Sequence, residues 1–375
     1  MIHNSAIVIG AGIVGLATAR ALSLKGYKVT VIEKSSQPLG ASIRNFGMIW
    51  PIGQPDGTLY QRALRSRDIW KEILTETKGD FDSCGSLHLA YSQEEHAVLE
   101  ELYDHFSNHK RPVRLMNSDD ISQKYNGINH TNLQSALFSA DEMIIDPRQG
   151  MKHASAYLES SLGVDFIWGA AVTNVESNTV WCSNTSYHSD LICICSGSDF
   201  ETLYPTIFKS LPITRTKLQM MRFVSSDPNF KMGTSICGGL SLLHYKSFLA
   251  SASLDKLRIK LESDLPEHIA HGIHVMAAQN SKGELTIGDS HEYGSDFAPF
   301  DSNHVNQLIL DYLRNMMHIG DWQLQQTWNG VYPKMTDDTT ELFMKVNDGV
   351  YIINGIGGNG MTLSFGFAEE VIEKI

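Results

Sequence analysis

The sequence is poor in cysteine. Its 375 residues include five, Cys84, Cys182, Cys193, Cys195 and Cys237, an odd and scattered set. That rules against a disulfide framework and predicts a reducing, cytoplasmic setting. It also lacks a positive excess. Lys and Arg number 30 against 42 Asp and Glu, a formal net charge of -12, which argues against general nucleic-acid or anionic-membrane binding. No uninterrupted apolar run is long enough for a membrane span. Residues 6–24 imitate the apolar core of a secretory signal, but no basic stretch precedes them. There is no G-x-S-x-G elbow, no GxxxxGK[ST] phosphate loop, no H-E-x-x-H and no zinc-type spacing, so these hydrolase classes and a metal centre are not expected. No internal repeat and no marked pair of acids in one motif occur. A hydrophobic share of 42% and a charged share of 19% are ordinary for a globular enzyme, and the length suits about two domains.

What is present begins at residue 6. AIVIGAGIVGLATARALSLKGYKVTVIEK contains a short apolar run, the glycines Gly10, Gly12 and Gly15, a helix-compatible stretch broken at Gly26, and a second apolar run ending at Glu33. This is the βαβ dinucleotide fingerprint. Gly10 allows the tight turn, Gly12 lets backbone approach a pyrophosphate, and Gly15 lets helix pack on sheet. N–H groups at the helix start, around Ile13 and Val14, face phosphate charge. Glu33 stands where an acid can bond a ribose hydroxyl and disfavour a 2′-phosphate.

The remaining pattern alternates in character. A Gly, Pro and Ser-rich loop follows Glu33, helical patterns cover 58–78 and 94–106, and strand patterns cover 86–92 and 190–197. Residues 144–169 read as strand, helix and strand. From 213 to about 290, alternating segments split by Gly, Pro and Asn, LSLLHYKSF among them, predict an antiparallel sheet. A helix is predicted over 301–317, and strands over 327–333 and 342–346. VYIINGIGGNGMTLSFGFAEEVIEKI reads as a strand, a glycine cluster and a final helix. The fold class expected is α/β: a Rossmann-like cofactor domain over 1–82, 140–212 and 325–375, with a substrate domain over 83–139 and 213–324.

On GAGIVGLATARALSLKGYKVTVIEK, GASIRNFGM, the CICSG strand end and the terminal VYIINGIGGNGMTLSFGFAEE, the chain resembles the D-amino-acid oxidase (DAO) superfamily of FAD-dependent oxidoreductases, nearly end to end. NFGMIWPIGQPDG, TKLQMMRF, LSLLHYKSF, IHVMAAQ, GELTIGDSHEY and GGNGMTLSFG resemble its phosphonate-associated branch. The resemblance implies noncovalent FAD held by Lys34 beside Glu33, by the loop Ser42, Arg44, Asn45, Phe46, Gly47 and Met48, by Val172 at the adenine, by Ser196 and Gly197 at a strand end, and by Gly357, Gly358, Asn359, Gly360, Met361 and Thr362 at the flavin. Arg44 could answer phosphate charge, and Asn45 could bond the ring or hold its own turn. Helix N–H groups near residue 360 would stabilise a reduced, anionic flavin.

The substrate side is more open. Strand alternation puts Lys217, Gln219 and Met221 on one face and Leu218, Met220 and Arg222 on the other. Lys217 or Gln219, with His244, Tyr245 and Lys246, could meet an anionic substrate group. Each has a plain alternative in core or surface packing, which His274 and His291 favour. Trp328 and Tyr332 could wall an amine pocket or simply pack. The resemblance implies oxidation of a small anionic amine, aminophosphonates first, by hydride transfer to flavin N5 to give an imine that hydrolyses, with O2 or another acceptor. N-methyl and D-amino acids, including sarcosine and glycine, stand second. An NAD dehydrogenase and a non-catalytic FAD-binding subunit of a larger complex are the rival classes.

Overall fold

The computed structural model describes residues 4–375. The first three residues of the 1–82 segment lie outside the described residues. Six strands form one sheet in the order Leu342–Asn347, Val350–Asn354, Leu191–Ile194, Ser5–Ile9, Lys28–Glu33 and Asp165–Trp168. All neighbours are parallel except the first pair. Ile7, Val8 and Ile9 are buried, because helices cover one face of this sheet and the small antiparallel meander of residues 174–188 covers the other. Helix Ile13–Leu24 follows the first strand at once. Its alanines let it lie against both the sheet and the terminal helix Gly360–Ile372.

A second, nine-stranded sheet carries the other large core. Its long strand Ile213–Ser225 pairs with Glu284–Gly288 and Glu292–Gly294 on one edge and with Trp322–Met335 on the other. The sheet is antiparallel except where Ser235–Cys237 runs parallel to Ser86–Ala90. Strand Trp322–Met335 pairs along almost its whole length in this sheet, so the expected boundary at residue 325 falls inside a strand.

Other sequence expectations hold closely. The helices run Thr58–Glu76, Gln93–Asn108 and Asn303–Met316. The second of these starts at a capping box, in which Ser92 Oγ accepts from Glu95 N–H and Glu95 accepts from Ser92 N–H. LSLLHYKSF differs. It forms the end of helix Gly239–Leu242 and the start of the 3-10 turn Lys246–Ala250. A short apolar run does not fix its own period. Here the helical turns bury Leu240, Leu242 and Phe248 and leave His244 and Lys246 exposed. Helices Leu254–Asp264 and Pro266–Ala270 also interrupt the region read as all strand. Among the described residues no helix is long and apolar enough to cross a membrane.

Candidate active site

The carboxyl ends of strands Ser5–Ile9, Leu191–Ile194 and Val350–Asn354 open onto one elongated cavity. Gly12, Ile13 and Val14 line it with Glu33, Lys34, Ser196 and Gly197, and so do Gly357, Gly358, Gly360 and Met361. The two glycine-rich turns, more than 340 positions apart in the chain, therefore border a single space. Asn354 links the terminal glycine turn to the end of strand Leu191–Ile194 by donating from Nδ2 to the Gly197 carbonyl at 2.9 Å and accepting from Gly355 N–H.

The three glycines of the fingerprint have different causes. Gly10 has φ +104°, and a Cβ there would lie 2.5 Å from the Cys195 carbonyl oxygen. A Cβ on Gly15 would lie 1.8 Å from the Gly10 carbonyl oxygen. The protein's own packing demands both. Gly12 is different: its φ of -68° suits any residue, and a Cβ would meet only Ser42 Oγ, at 3.4 Å. The position faces the cavity, so the glycine there leaves room for a ligand, which fits a dinucleotide pyrophosphate at the start of a helix.

Surrounding bonds hold this end in place. Glu33 accepts from Ala11 N–H at 2.8 Å and from Ser35 N–H at 2.9 Å, so its carboxylate stands fixed at the cavity edge. Ser42 Oγ accepts from Ile13 N–H at 2.9 Å. Lys34 pairs with Asp199 at 3.1 Å. In the loop, Asn45 donates to the Ala41 and Ser42 carbonyls and accepts from Gly47 N–H. It thus holds the turn, the second of its two expected roles. Arg44, exposed, lines the cavity and donates to the Asn329 carbonyl. Gly47 is required by packing, since a Cβ would lie 1.9 Å from the Ile145 carbonyl oxygen.

Several residues expected at the cofactor stand back from the cavity. Val172 sits in the core with Ile7, Ile9 and Ile32, Met48 is buried in the larger core, and neither lines either cavity. Thr362 is buried and spends its hydroxyl on Trp50 N–H, at 2.9 Å. Asn359 accepts from Gln54 and lines the neighbouring chamber instead.

A second chamber adjoins the first and shares Asn45, Leu218, Tyr332, Ile356, Gly357 and Gly358 with it. Phe46, His244, Tyr245, Lys246, His274, Asp289, His291 and Lys334 are among the residues that line the rest, with Met220 and Asp337. His244 and Tyr245, two of the residues expected to meet substrate, thus line this chamber. Lys217 and Gln219 do not, and this corrects the sequence reading. Lys217 Nζ donates to the carbonyls of Ala298 (2.7 Å) and Phe300 (3.0 Å). Gln219 bonds Ser302 twice and the Asn306 side chain. Their face of the strand meets the 298–306 segment; the opposite face, Leu218 and Met220, walls the chamber. Lys217→Ala is accordingly expected to lower stability by about 1–3 kcal/mol by stranding two carbonyls, with substrate affinity unchanged. Thermal melts beside substrate titrations check this, and a weakened substrate at full stability would contradict it.

Burial governs the chamber's electrostatics. His244 shows surface to the chamber while protein crowds its other sides. That crowding, then the neighbouring His291 and Lys334, pushes its pKa well below the usual imidazole value. Burial lowers His274 in the same direction and brings His291 down to about 4. Burial also pushes the Asp289 carboxyl well up, and the phenols of Tyr245 and Tyr332 too. Asp289 Oδ1 lies 3.1 Å from His274 Nε2 but out of line for a hydrogen bond. Asp289 Oδ1 and His274 Nδ1 are both buried without a hydrogen-bond partner. Asp289 was missed by the sequence reading. The available signal was its two-residue spacing from His291, which puts both on one side of an extended segment.

Of the cysteines only Cys195 lines a cavity, and burial raises its thiol to about 12. Trp328 sits beside Phe46 and Met220 and lines neither cavity, whereas Tyr332 borders both.

Comparison with known proteins agrees with this geometry. The family model described as DAO, FAD dependent oxidoreductase, matches residues 5–374. Monomeric sarcosine oxidase from Bacillus sp. (strain B-0618) is 22% identical over 60% of this chain and 59% of its own length. The bifunctional protein MnmC of tRNA 5-methylaminomethyl-2-thiouridine biosynthesis from Pseudomonas entomophila is 35% identical over 62% of this chain and 36% of its own. These matches span less than two thirds of each curated relative. Glycine oxidase from Geobacillus kaustophilus superposes with a TM-score of 0.78 at 18% identity, over 99% of this chain and 94% of that one, which establishes the shared fold. With its two glycine turns on one cavity and a family match over almost every residue, the chain belongs to the DAO family of FAD-dependent oxidoreductases, and its cofactor is FAD.

Proposed function

We propose that the protein oxidises a small anionic amine, an aminophosphonate such as a 2-aminoethylphosphonate derivative before others, to an imine that water hydrolyses. The observation that carries this reading is the adjoining chamber. It meets the cofactor cavity at Gly357 and Gly358 and sets Lys246, Lys334 and His244, with the acids Asp289 and Asp337, around a space walled by Leu218 and Met220. The likeness of NFGMIWPIGQPDG and its companion motifs to the phosphonate-associated branch supports the choice of anion. FAD, when bound, supplies the hydride acceptor, and O2 or another oxidant then takes the electrons.

The chain's own residues have three tasks. Lys246 and Lys334 attract the anionic end, with their side chains held on the Asp338 carbonyl and the Tyr293 hydroxyl. Leu218 and Met220 form an apolar wall that disfavours a charged ammonium, so the free amine is the form favoured beside the cofactor. Tyr245 and Tyr332 stay protonated, because burial and the nearby Asp289 oppose their ionisation, and the Tyr245 O–H is directed at Met276 Sδ. The scattered cysteines, with the one cavity-lining thiol so hard to ionise, support noncovalent FAD and a cytoplasmic setting.

The test is an anaerobic panel of aminophosphonates, N-methyl amino acids and D-amino acids, scored by loss of the oxidised flavin spectrum. Bleaching by an aminophosphonate at the lowest concentration is expected. Reduction by sarcosine or glycine and by no phosphonate would move the assignment to the second reading, which the sarcosine oxidase relative favours. Bound flavin that no amine bleaches would favour a non-catalytic subunit. His244→Ala is expected to raise the substrate dissociation constant about tenfold, ~1.4 kcal/mol, with flavin content unchanged. Equal constants for variant and parent would remove His244 from the site.

A further inference from the structure

We propose that His244, His274 and His291 form a binding site for a divalent transition-metal ion of the zinc class in the wall of the second chamber. The three come from separate segments, before and after the strands Met276–Gln279 and Glu284–Gly288 and beside the short helix Gly239–Leu242. One ligand nitrogen of each lies within 4.8 Å of the others. Ring centroids of His244 and His274 are 3.9 Å apart, and those of His244 and His291 are 4.7 Å apart.

The hydrogen bond of one ring directs a lone pair rather than an N–H into the cluster, and a second ring has a buried nitrogen free. His291 Nδ1 is 3.0 Å from the Gly272 carbonyl oxygen. A carbonyl only accepts, so Nδ1 carries the proton and Nε2 keeps its lone pair. His274 Nε2 faces Asp289 Oδ1 at 3.1 Å, while its Nδ1 is buried with no partner. A carbonyl behind an imidazole N–H is one of the supports that orient metal-bound histidines. A buried, unpartnered ring nitrogen is costly unless something occupies the space before it, and a cation there would satisfy it. Bonds of about 2.1 Å in a tetrahedral arrangement bring nitrogens to roughly 3.4 Å apart, so the three rings would draw closer together around the ion. The other group of this kind, Asp56, His105 and His109, is already engaged: Asp56 bonds Arg111 and His105, each at 2.7 Å. It serves as the internal control. If the amine reading above holds, the ion would add to Lys246 and Lys334 in holding the anionic group; the metal site itself does not rest on that reading.

The experiment uses the full, FAD-loaded protein, stripped with a chelator and dialysed against zinc without substrate. One zinc per chain is expected. His274→Ala and His291→Ala are expected to lower zinc affinity at least about tenfold, while His105→Ala retains it. Cobalt added to the unmutated protein is expected to give ligand-field bands beyond the flavin's absorption, which keeps the test independent of how the variants fold. No retained zinc in the unmutated protein, equal retention in the His274 and His291 variants, or absent cobalt bands would each overturn the proposal. None of these readouts depends on which amine is oxidised.

Discussion

Replacing Gly12 by alanine is expected to cut FAD retention about a hundredfold, ~3 kcal/mol, and to leave the melting temperature of the cofactor-free protein nearly unchanged. The added methyl group has ordinary space in the protein, 3.4 Å from Ser42 Oγ, and the backbone is already in a region open to alanine. Its conflict is with the pyrophosphate alone. Gly15→Ala is the counterpart. A Cβ there lies 1.8 Å from the Gly10 carbonyl oxygen, between the first strand and its helix, so it is expected to destabilise the folded chain itself by about 3 kcal/mol. Flavin absorbance per protein after gel filtration, read beside melts of both apoproteins, separates the two effects. An alanine at 12 that binds FAD normally, or that melts as early as alanine at 15, would remove the pyrophosphate from its assigned place.

That contrast shows what was legible in the sequence. The fingerprint could be read because the three glycines lie within six positions and each answers a local demand. The terminal cluster could be read for the same reason, although its closeness to the first became visible only in the parallel order of strands Ser5–Ile9, Leu191–Ile194 and Val350–Asn354. The substrate chamber was less legible. Alternation along Ile213–Ser225 separated Lys217 and Gln219 from Leu218 and Met220 correctly. Which face would meet the cofactor depended on the loop at 298–302 and the helix after it, which claim the polar pair. Polarity suggested the wrong face because buried polar side chains also serve as anchors for loops. His244, His274 and His291 span 47 positions with no motif spacing, and only the turns that replaced an expected strand at LSLLHYKSF bring the first beside the others. Likewise, strand Trp322–Met335 was cut by a boundary at 325 because an insertion's last strand and the return to the first domain share the same apolar alternation.

Glu142→Gln is expected to make the protein markedly more stable at pH 8 and nearly neutral at pH 5. Glu142 is 1% exposed and accepts from Ile52 N–H at 2.9 Å and Ser86 Oγ at 3.1 Å. Burial raises its pKa from an ordinary 4.5 to about 7, against the hydrogen bonds that favour its ionised form. The sign follows from linkage. Below pH 4.5 folded and unfolded chains both hold the proton, and the carboxyl contributes no penalty. Between 4.5 and 7 the unfolded chain releases its proton while the folded chain keeps it, so stability falls as pH rises. Above 7 the loss levels off at on the order of 3 kcal/mol. Glutamine does not titrate there. Its carbonyl can still accept from Ile52, and its amide can donate to Ser86, so the segment leading from Trp50, whose own N–H is held by Thr362, keeps its place. Melting curves of both proteins at the two pH values measure the difference. Parallel shifts with pH would mean that Glu142 is ionised in the folded state throughout, and that its hydrogen bonds outweigh its burial.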